Sequence, residues 1–266
     1  MGGELTVTRW VRFRRADTGA EGFGTLDAEL EAVQPCLGDI FQDATPAGAP
    51  LPLALVTLLA PVQPARFIGL WNNFHELAAK QGHAIPAEPL WFLKNPGSVI
   101  GPDEPIRPPP GYAGRVLYEG ELGLVIGRRC SAVSGAEAAA AIFGLTCVND
   151  VTALDLLTAD PSFPQWARAK SCDSFGPVGP CIATGLDWRK LRVQVALNGR
   201  VRQDYPAADM VLQPARIVEL ISREMTLEPG DLIACGTSLG ALPMRSGMTV
   251  AVVIEGIGAL ENPFAP

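Results

Sequence analysis

The sequence predicts an α+β protein whose body is mainly β. Two observations carry this prediction: segments that read as strands outnumber those that read as helices, and turn-forming residues are frequent, with 28 Gly and 24 Pro in 266 residues. Many short strands joined by such turns favour a mainly β or α+β arrangement. The length is sufficient for one large domain, alone or with a small appendage.

The N-terminal quarter is predicted to form a small domain of its own. Residues 4–15 alternate like a strand, and further short β-like pieces continue to about residue 60. A Pro/Ala/Gly-rich stretch at 44–50 and the prolines Pro61 and Pro64 then precede a strand-like run at 65–70. Because prolines and glycines punctuate structure, we place a boundary there and predict domains of residues 1–62 and 63–266.

The larger domain is predicted to mix several strands with a few helices. Ser134 and Glu137 form a capping box, and Pro214 suits the first turn of an amphipathic helix. We expect helices at 74–81, 134–144 and 214–225, and strands at 90–93, 115–127, 145–150, 192–197, 232–235 and 249–254.

Composition and charge exclude several classes of protein. The chain has 21 Lys and Arg against 28 Asp and Glu, a net charge of −7, which leaves no basic surface for nucleic acid. No apolar run is long enough for a membrane span, and the N-terminus does not read as a signal peptide. The six cysteines are scattered without a C-x-x-C pair, which argues against a zinc site and a disulfide framework. These features predict a cytoplasmic protein.

Two glutamates within one predicted strand indicate a metal site. Glu119 and Glu121 lie two residues apart in the run 115–127, and a strand directs residues i and i+2 to the same face. The alternative is an exposed face with two solvated glutamates. The apolar run 122–126 disfavours it, since such runs suit strands that are covered on both faces. Buried carboxylates require pairing or a metal.

Asp150 is the candidate for a third ligand, because it ends the next apolar strand-like run. Taken alone, it reads more simply as a cap for the segment that follows. Three carboxylates with water would form an oxygen site for Mg²⁺, Mn²⁺ or Ca²⁺ rather than for zinc or copper.

Other candidate residues are less specific. Lys170 precedes several turn formers and reads as an exposed lysine, unless it neutralises an anion beside a metal. His75 begins a zincin-like string, but the second histidine is missing, because position 79 is Ala79. The G-x-S-x-G string around Ser238 is not an α/β-hydrolase elbow, because no histidine follows it. The sequence has no G-x-G-x-x-G and no Walker A motif, so a nucleotide cofactor is not expected.

An ordered set of motifs resembles the fumarylacetoacetate hydrolase family over residues 66–264. The matching strings are YEGEL at 118–122, VIG at 125–127, VNDVTA at 148–153, RAKS at 168–171, GP at 179–180, LNG at 197–199 with Gln203, DM at 209–210, MTLEPGD at 225–231, GT at 236–237 and EGIG at 255–258. Each string alone is weak, but their common order is specific.

The resemblance implies a mixed β-sandwich roll, usually a homodimer, that binds Mg²⁺ or Mn²⁺. By motif position, Glu119, Glu121 and Asp150 would be the metal ligands, and Lys170 would hold the substrate or its developing enolate. The same comparison implies that Gln203 and Thr237 contact substrate oxygens, and that His75 is the catalytic histidine on a helix that closes over the site.

The chain departs from the family pattern at three positions near these residues. Where the family often has G-x-N-Y-x-x-H-x-x-E, this chain reads GLWNNFHELA at 69–78, so that Ala78 replaces an acid and Trp71 displaces the Asn-Tyr pair. Ser238 also replaces the common proline after GT. Positions i and i+3 are neighbours on a helix, so the loss at Ala78 removes the carboxylate that would orient His75.

Three hypotheses of function follow. The first is a metal-dependent hydrolase that cleaves a C–C bond in an acylpyruvate or fumarylacetoacetate-like 1,3-diketo acid, as in bacterial aromatic catabolism, with His75 activating water. The alternative is a 2-oxo acid isomerase, tautomerase or decarboxylase on the same metal site, resembling 2-hydroxyhepta-2,4-diene-1,7-dioate isomerase, and Ala78 favours it. A metal-binding scaffold without chemistry is the third. The expected partner is a small oxo-acid substrate.

Overall fold

The strands and helices are those of a computed structural model that describes residues 6–27 and 29–265. The strands are β1 (Thr8–Arg15), β2 (Glu21–Leu26), β3 (Ala32–Leu37), β4 (Thr45–Pro46), β5 (Leu51–Pro52), β6 (Val56–Leu59), β7 (Phe67–Trp71), β8 (Leu90–Lys94), β9 (Val99–Ile100), β10 (Val116–Leu117), β11 (Gly120–Ile126), β12 (Ile142–Asn149), β13 (Thr152–Ala153), β14 (Gly176–Thr184), β15 (Arg192–Leu197), β16 (Arg200–Pro206), β17 (Leu232–Ala234), β18 (Thr249–Ile254) and β19 (Gly258–Pro263). The helices are α1 (His75–Gln81), α2 (Gly135–Ala141), α3 (Leu154–Leu157), α4 (Trp166–Lys170) and α5 (Pro214–Glu224).

The strands form a large mixed sheet and a smaller antiparallel one, which confirms the predicted mainly β, α+β class. The large sheet runs β4-β3-β2-β1-β14-β12-β11-β17-β7-β8, and its β17–β7 pair is parallel. The smaller sheet, β16-β15-β18-β19, packs over the centre of the large one, with β15 against β11 and β19 against β14. The two sheets bury one apolar core between them, as in a β-sandwich.

The N-terminal segment is joined to the large sheet. β1 pairs with β2 and β6, and it also pairs with β14 of the larger part of the chain. The boundary predicted near residue 63 falls between β6 and β7 along the chain. The large sheet contains strands from both sides of this boundary, and the two domains remain a prediction. Of the strand predicted at 4–15, residues 4 and 5 lie outside the described residues.

The predicted strand at 115–127 is wrong in one respect, because the structure divides it. β10 ends at Leu117 and β11 begins at Gly120, so Glu119 lies between two strands. The Glu119 N–H donates to Asn149 Oδ1 (3.0 Å) and the Gly120 N–H donates to Gln203 Oε1 (3.1 Å). Side-chain acceptors therefore replace strand partners at this break, where Glu119 leaves the sheet.

A second difference is β14, whose sequence GPVGPCIAT reads as a series of turns. The structure makes it a nine-residue strand between β1 and β12. Close packing explains the glycine at its start, since a Cβ on Gly176 would lie 2.9 Å from the Phe67 ring. Tertiary packing thus outweighs the local preference of glycine and proline.

The helices are short, and their start signals behave as expected. The capping box of Ser134 and Glu137 is present at α2, and Pro214 is at the first turn of α5. Throughout residues 6–27 and 29–265, no helix has the length and apolarity that crossing a membrane would require.

Candidate metal centre

Three carboxylates meet where β11 begins and β12, its antiparallel neighbour, ends. The antiparallel register sets Gly120 opposite Asn149, so Glu119, Glu121 and Asp150 fall at the same end of the strand pair. The Asp150 N–H donates to the Glu119 carbonyl oxygen (2.8 Å), which ties the two chain segments together. One oxygen of each carboxylate lies within 4.8 Å of the others. The structure therefore brings together the three metal ligands that the sequence predicted.

Glu121 is the most enclosed of these acids, and its side chain is incompletely satisfied. It is fully buried, and its Oε2 accepts a hydrogen bond from the Gly236 N–H at 2.7 Å. Its Oε1 has no hydrogen-bond partner among the described residues. Burial, and then the charges of Asp150 and Glu119, raise the pKa of Glu121 well above its usual range.

The donor set fits a hard divalent cation. A buried oxygen without a partner carries the full cost of desolvation, which a cation contacting that oxygen would offset. Carboxylate oxygens are the ligands that Mg²⁺ and Mn²⁺ prefer, and the described site offers no sulfur or imidazole. The triad can therefore hold a metal, and the sequence prediction of Mg²⁺ or Mn²⁺ agrees with its chemistry.

Lys170 lies against this triad at the end of α4. Its Nζ donates to Glu119 Oε2 (2.8 Å) and to Asp150 Oδ2 (2.5 Å), and its side chain is buried. Burial opposes the charged form, but the three nearby carboxylates outweigh that effect and raise the pKa of Lys170. The ammonium is therefore held at the site as a fixed positive charge.

Lys94 is a second buried lysine that the sequence analysis did not select. From the end of β8 it donates to Asp150 Oδ1 (2.6 Å) and to the Lys170 carbonyl oxygen (2.5 Å). Burial lowers the pKa of Lys94, although Asp150 opposes the change. The sequence feature that could have identified Lys94 is a single lysine at the end of an apolar strand, since a charge that is buried there requires a partner.

The two lysines determine the state of Asp150. Burial disfavours its carboxylate, but Lys170 and Lys94 together lower the pKa of Asp150. When all three carboxylates are ionised, they and the two ammonium groups leave one net negative charge (3 − 2 = 1). A divalent cation bound to this ionised form would reverse the sign of the site.

Gln203 and Thr237 form a network beneath the triad. Gln203 Nε2 donates to Thr237 Oγ1 (2.9 Å), and Thr237 Oγ1 donates to the Gly120 carbonyl oxygen (3.0 Å). Because Gln203 also accepts from the Gly120 N–H, the pair fixes the backbone between Glu119 and Glu121. Thr237 lines the cavity described next, whereas Gln203 does not, and its contact with substrate remains a prediction.

Glu119 of the triad and Lys170 line a cavity of about 360 Å³, which we call the acidic cavity. Polar groups reach it from Glu119, Thr152, Lys170 and Thr237, while its other walls are largely apolar. α1 borders the acidic cavity through Leu77 and Gln81. A charged end and apolar walls are typical of a small-molecule site.

His75 is the one predicted catalytic residue that lies apart from this cluster. It is the first residue of α1, it is exposed, and it does not line the acidic cavity. Ala78, one turn further along α1, is fully buried and offers no carboxylate to orient an imidazole. The catalytic role of His75 remains a prediction.

The fold and the site together define a mainly β protein with three carboxylates, able to hold a metal, at the end of two paired strands. The chain matches the profile of the fumarylacetoacetate (FAA) hydrolase C-terminal family over residues 66–265, and a second profile, Rv2993c-like, N-terminal, over residues 8–61. The chain therefore belongs to the fumarylacetoacetate hydrolase family, as its motifs indicated. This family is one of enzymes and includes hydrolases and isomerases.

Relatives and solved structures agree over almost the whole chain. Protein Rv2993c of Mycobacterium tuberculosis is 42% identical over 258 residues, which cover 94% of this chain and 96% of that protein. The structure of 2-hydroxyhepta-2,4-diene-1,7-dioate isomerase from Mycobacterium marinum is 38% identical, with a TM-score of 0.88 and coverage of 97% and 98%. Fumarylacetoacetate hydrolase from Exiguobacterium antarcticum is 29% identical, with a TM-score of 0.86 and coverage of 97% and 99%.

Proposed function

We propose that this protein is a metal-dependent enzyme acting on a 2-oxo acid through its enolate, and that isomerisation is the reaction its geometry supports best. The observation that carries the proposal is a contrast within the site. Glu119 and Lys170 line the acidic cavity, with Glu121 and Asp150 next to Glu119, while His75, the residue expected to activate water, does not line it. Isomerisation requires enolate stabilisation but no water nucleophile.

Charge supports an oxo acid as the substrate. The net charge of −1 that the three ionised acids and the two lysines carry would become +1 with a divalent cation bound. A positive centre at the end of a largely apolar cavity attracts a carboxylate and the neighbouring oxo group, whose oxygens are hard donors. A bound Mg²⁺ or Mn²⁺ would supply Lewis-acid stabilisation of the developing negative charge.

Lys170 is the residue of this chain that would act on the reacting atoms. In isomerisation the proton on the carbon beside the 2-oxo group passes to solvent water, the electrons of the broken C–H bond form the enolate, and a proton from solvent water then adds at another carbon of the conjugated system. The Lys170 ammonium, held by Glu119 and Asp150, is placed to balance the enolate charge without reorganising. The 38% identity to an isomerase of known structure supports this choice.

Hydrolysis, the first hypothesis from the sequence, is the second candidate. In that reaction water adds to the distal carbonyl of a 1,3-diketo acid, the C–C bond breaks, and the departing enolate takes up a proton. The position of α1 favours it, since Leu77 and Gln81 already border the acidic cavity and His75 begins the same helix. His75 would reach bound substrate only if α1 moved towards the acidic cavity.

The test is a substrate panel with Mg²⁺ and with Mn²⁺. Enol and diketo forms of 2-oxo acids are followed in parallel by loss of the diketo chromophore, by exchange of the C3 protons with deuterium, and by CO₂ release. We expect metal-dependent C3 exchange that Glu119→Gln loses together with metal binding. Exchange that survives complete chelation would contradict the proposal, and rapid C–C cleavage would select hydrolysis instead.

A further inference from the structure

A second cavity adjoins the acidic one and is built of aromatic side chains. It has a volume of about 690 Å³, and we call it the aromatic cavity. Its walls come from Trp71, from residues 89–92 around β8, and from residues 163–168 around α4. Trp71, Phe92 and Trp166 line both cavities, so they form the wall where the two spaces meet.

The shared wall is an ordered aromatic group. The rings of Phe92 and Trp166 are stacked, with centroids 5.4 Å apart and planes at 23°, and Trp71 meets Trp166 edge-on at 6.0 Å. Lys170 Nζ lies 5.3 Å from the centroid of the Phe92 ring. The same ring therefore contacts the ammonium of the metal centre and faces the aromatic cavity.

The aromatic cavity exposes apolar side chains that would be expected to lie inside a protein. Phe163 is 66% exposed and Leu90 is 41% exposed, and both line this space. Arg168, itself exposed, is the charged residue of its described lining. Contiguous exposed apolar surface beside a polar site indicates a surface that binds something.

We propose that the aromatic cavity binds the apolar tail, an aryl or long acyl group, of the oxo acid whose carboxylate end occupies the acidic cavity. This inference rests on the proposed function and adds the substrate class to it. The argument for a substrate tail is adjacency, because Trp71, Phe92 and Trp166 line both cavities and the aromatic cavity is therefore the space next to the acidic one. At about 360 Å³, the acidic cavity is near the small end of the ~300–1,000 Å³ range of ligand pockets.

Two leucines of β8 give a matched pair of variants. Leu90 lines the aromatic cavity, whereas Leu93, on the same strand and 47% exposed, does not. Binding is measured by calorimetry in the presence of Mn²⁺, with 2-oxobutanoate as the short ligand and 2-oxo-4-phenylbutanoate as the tailed one. The readout is the ratio of the two affinities, which does not require turnover.

We expect the phenyl compound to bind the wild-type protein about tenfold more tightly than the short one, as burial of one apolar ring predicts. Leu90→Ala and Phe163→Ala should each reduce that ratio about threefold or more, while Leu93→Ala leaves it unchanged. Equal affinity of the two ligands for the wild type would overturn the tail site and leave the proposed function standing. If neither ligand binds, both proposals fail.

A second copy of the chain is the competing occupant of the aromatic cavity. Light scattering on the wild-type protein and the variants distinguishes it. If Leu90→Ala or Phe163→Ala converts a dimer into a monomer while the affinity ratio stays unchanged, the cavity is a subunit interface and the tail site is overturned. An unchanged oligomeric state with a reduced ratio supports the proposal.

Discussion

The carboxylate triad, through Glu119, and helix α1, through Leu77 and Gln81, border the same cavity but are held in place in different ways. Glu119, Glu121 and Asp150 are anchored by the paired strands β11 and β12, and two lysines lie against them. α1 is seven residues long, and its first residue, His75, is exposed. The part of the site that could bind a cation lies at the end of two core strands, while the part proposed to activate water lies on a surface helix.

This difference separates two catalytic tasks, the stabilisation of an enolate and the activation of water. Stabilising an enolate, as proposed above, requires fixed charges, which the triad beside the sheet and Lys170 at the end of α4 would supply. Activating water requires an oriented base, and Ala78 leaves His75 without the carboxylate that would orient it. A protein with this arrangement can retain enolate chemistry while its hydrolytic capacity changes.

The largest effect that would test the comparison is expected from Asp150→Ala. Asp150 accepts from Lys94 and Lys170, both buried, so its removal leaves two ammonium groups without their closest partner. Removing one partner of a buried ion pair costs about 3–5 kcal/mol of unfolding free energy. Chemical denaturation of the metal-free variant measures this cost, and calorimetry should detect no metal binding.

The matched control is Asp173→Ala, which removes an exposed aspartate shortly after α4, the helix that ends at Lys170. Its unfolding free energy should stay within about 0.5 kcal/mol of the wild-type value. Should Asp150→Ala prove as stable as the control, the description of the triad as part of the core would be wrong.

The sequence identified the three acids of the triad, because they lie within or at the end of strand-like runs. It identified the other residues of the site less well. Glu119 and Glu121 were recognised by their spacing, although the structure reaches the cluster by breaking the strand before Gly120. Lys94 was missed, since a lone lysine after an apolar strand has no pattern that names its partner. Asp150 lies 56 residues further along the chain, and only the sheet topology brings the two together.

The location of His75 could not be predicted from the sequence either. The motif GLWNNFHELA correctly indicated a helix near residue 75, but helix periodicity gives neither the tilt of α1 nor its distance from the sheet. The loop before α1 is held by Asn73, whose side chain donates to the carbonyl oxygens of Leu212 and Cys235, both distant in the sequence. Similarly, β14 could not be recognised from its sequence GPVGPCIAT, which favours turns. Its extended conformation depends on burial between the neighbouring strands β1 and β12.

His75→Ala is the next test, because it separates the helix from the triad. If the protein hydrolyses a diketo acid, we expect this variant to lose at least about 100-fold in that reaction, the lower end for general base catalysis. Its C3 proton exchange should change by less than about threefold, since the triad and Lys170 are untouched. Steady-state kinetics on one diketo acid and one 2-oxo acid measure both.

Lys80→Ala, another exposed position on α1, is the control for damage to the helix. It should leave both reactions unchanged. An equal loss of both reactions in His75→Ala would place the histidine in the enolate step and remove the distinction between the two regions.

The smallest expected effect concerns the proton on Glu121. Burial raises the pKa of this carboxyl well above its value of about 4.3 in an unfolded chain. The native state therefore binds the proton more tightly than the unfolded state. The stabilisation is complete below pH ~4 and is lost as the pH rises from the unfolded pKa towards the raised one.

Glu121→Gln removes this titration and keeps the shape of the side chain. Measured without metal, the unfolding free energy of the variant relative to wild type should increase by on the order of 1 kcal/mol between pH 4 and neutral pH. With Mn²⁺ the trend of the wild type should reverse, because the deprotonated carboxylate is the form that binds a cation. A wild-type-to-variant difference that does not change with pH would mean that Glu121 is ionised throughout, and the triad would then carry its full negative charge without any cation.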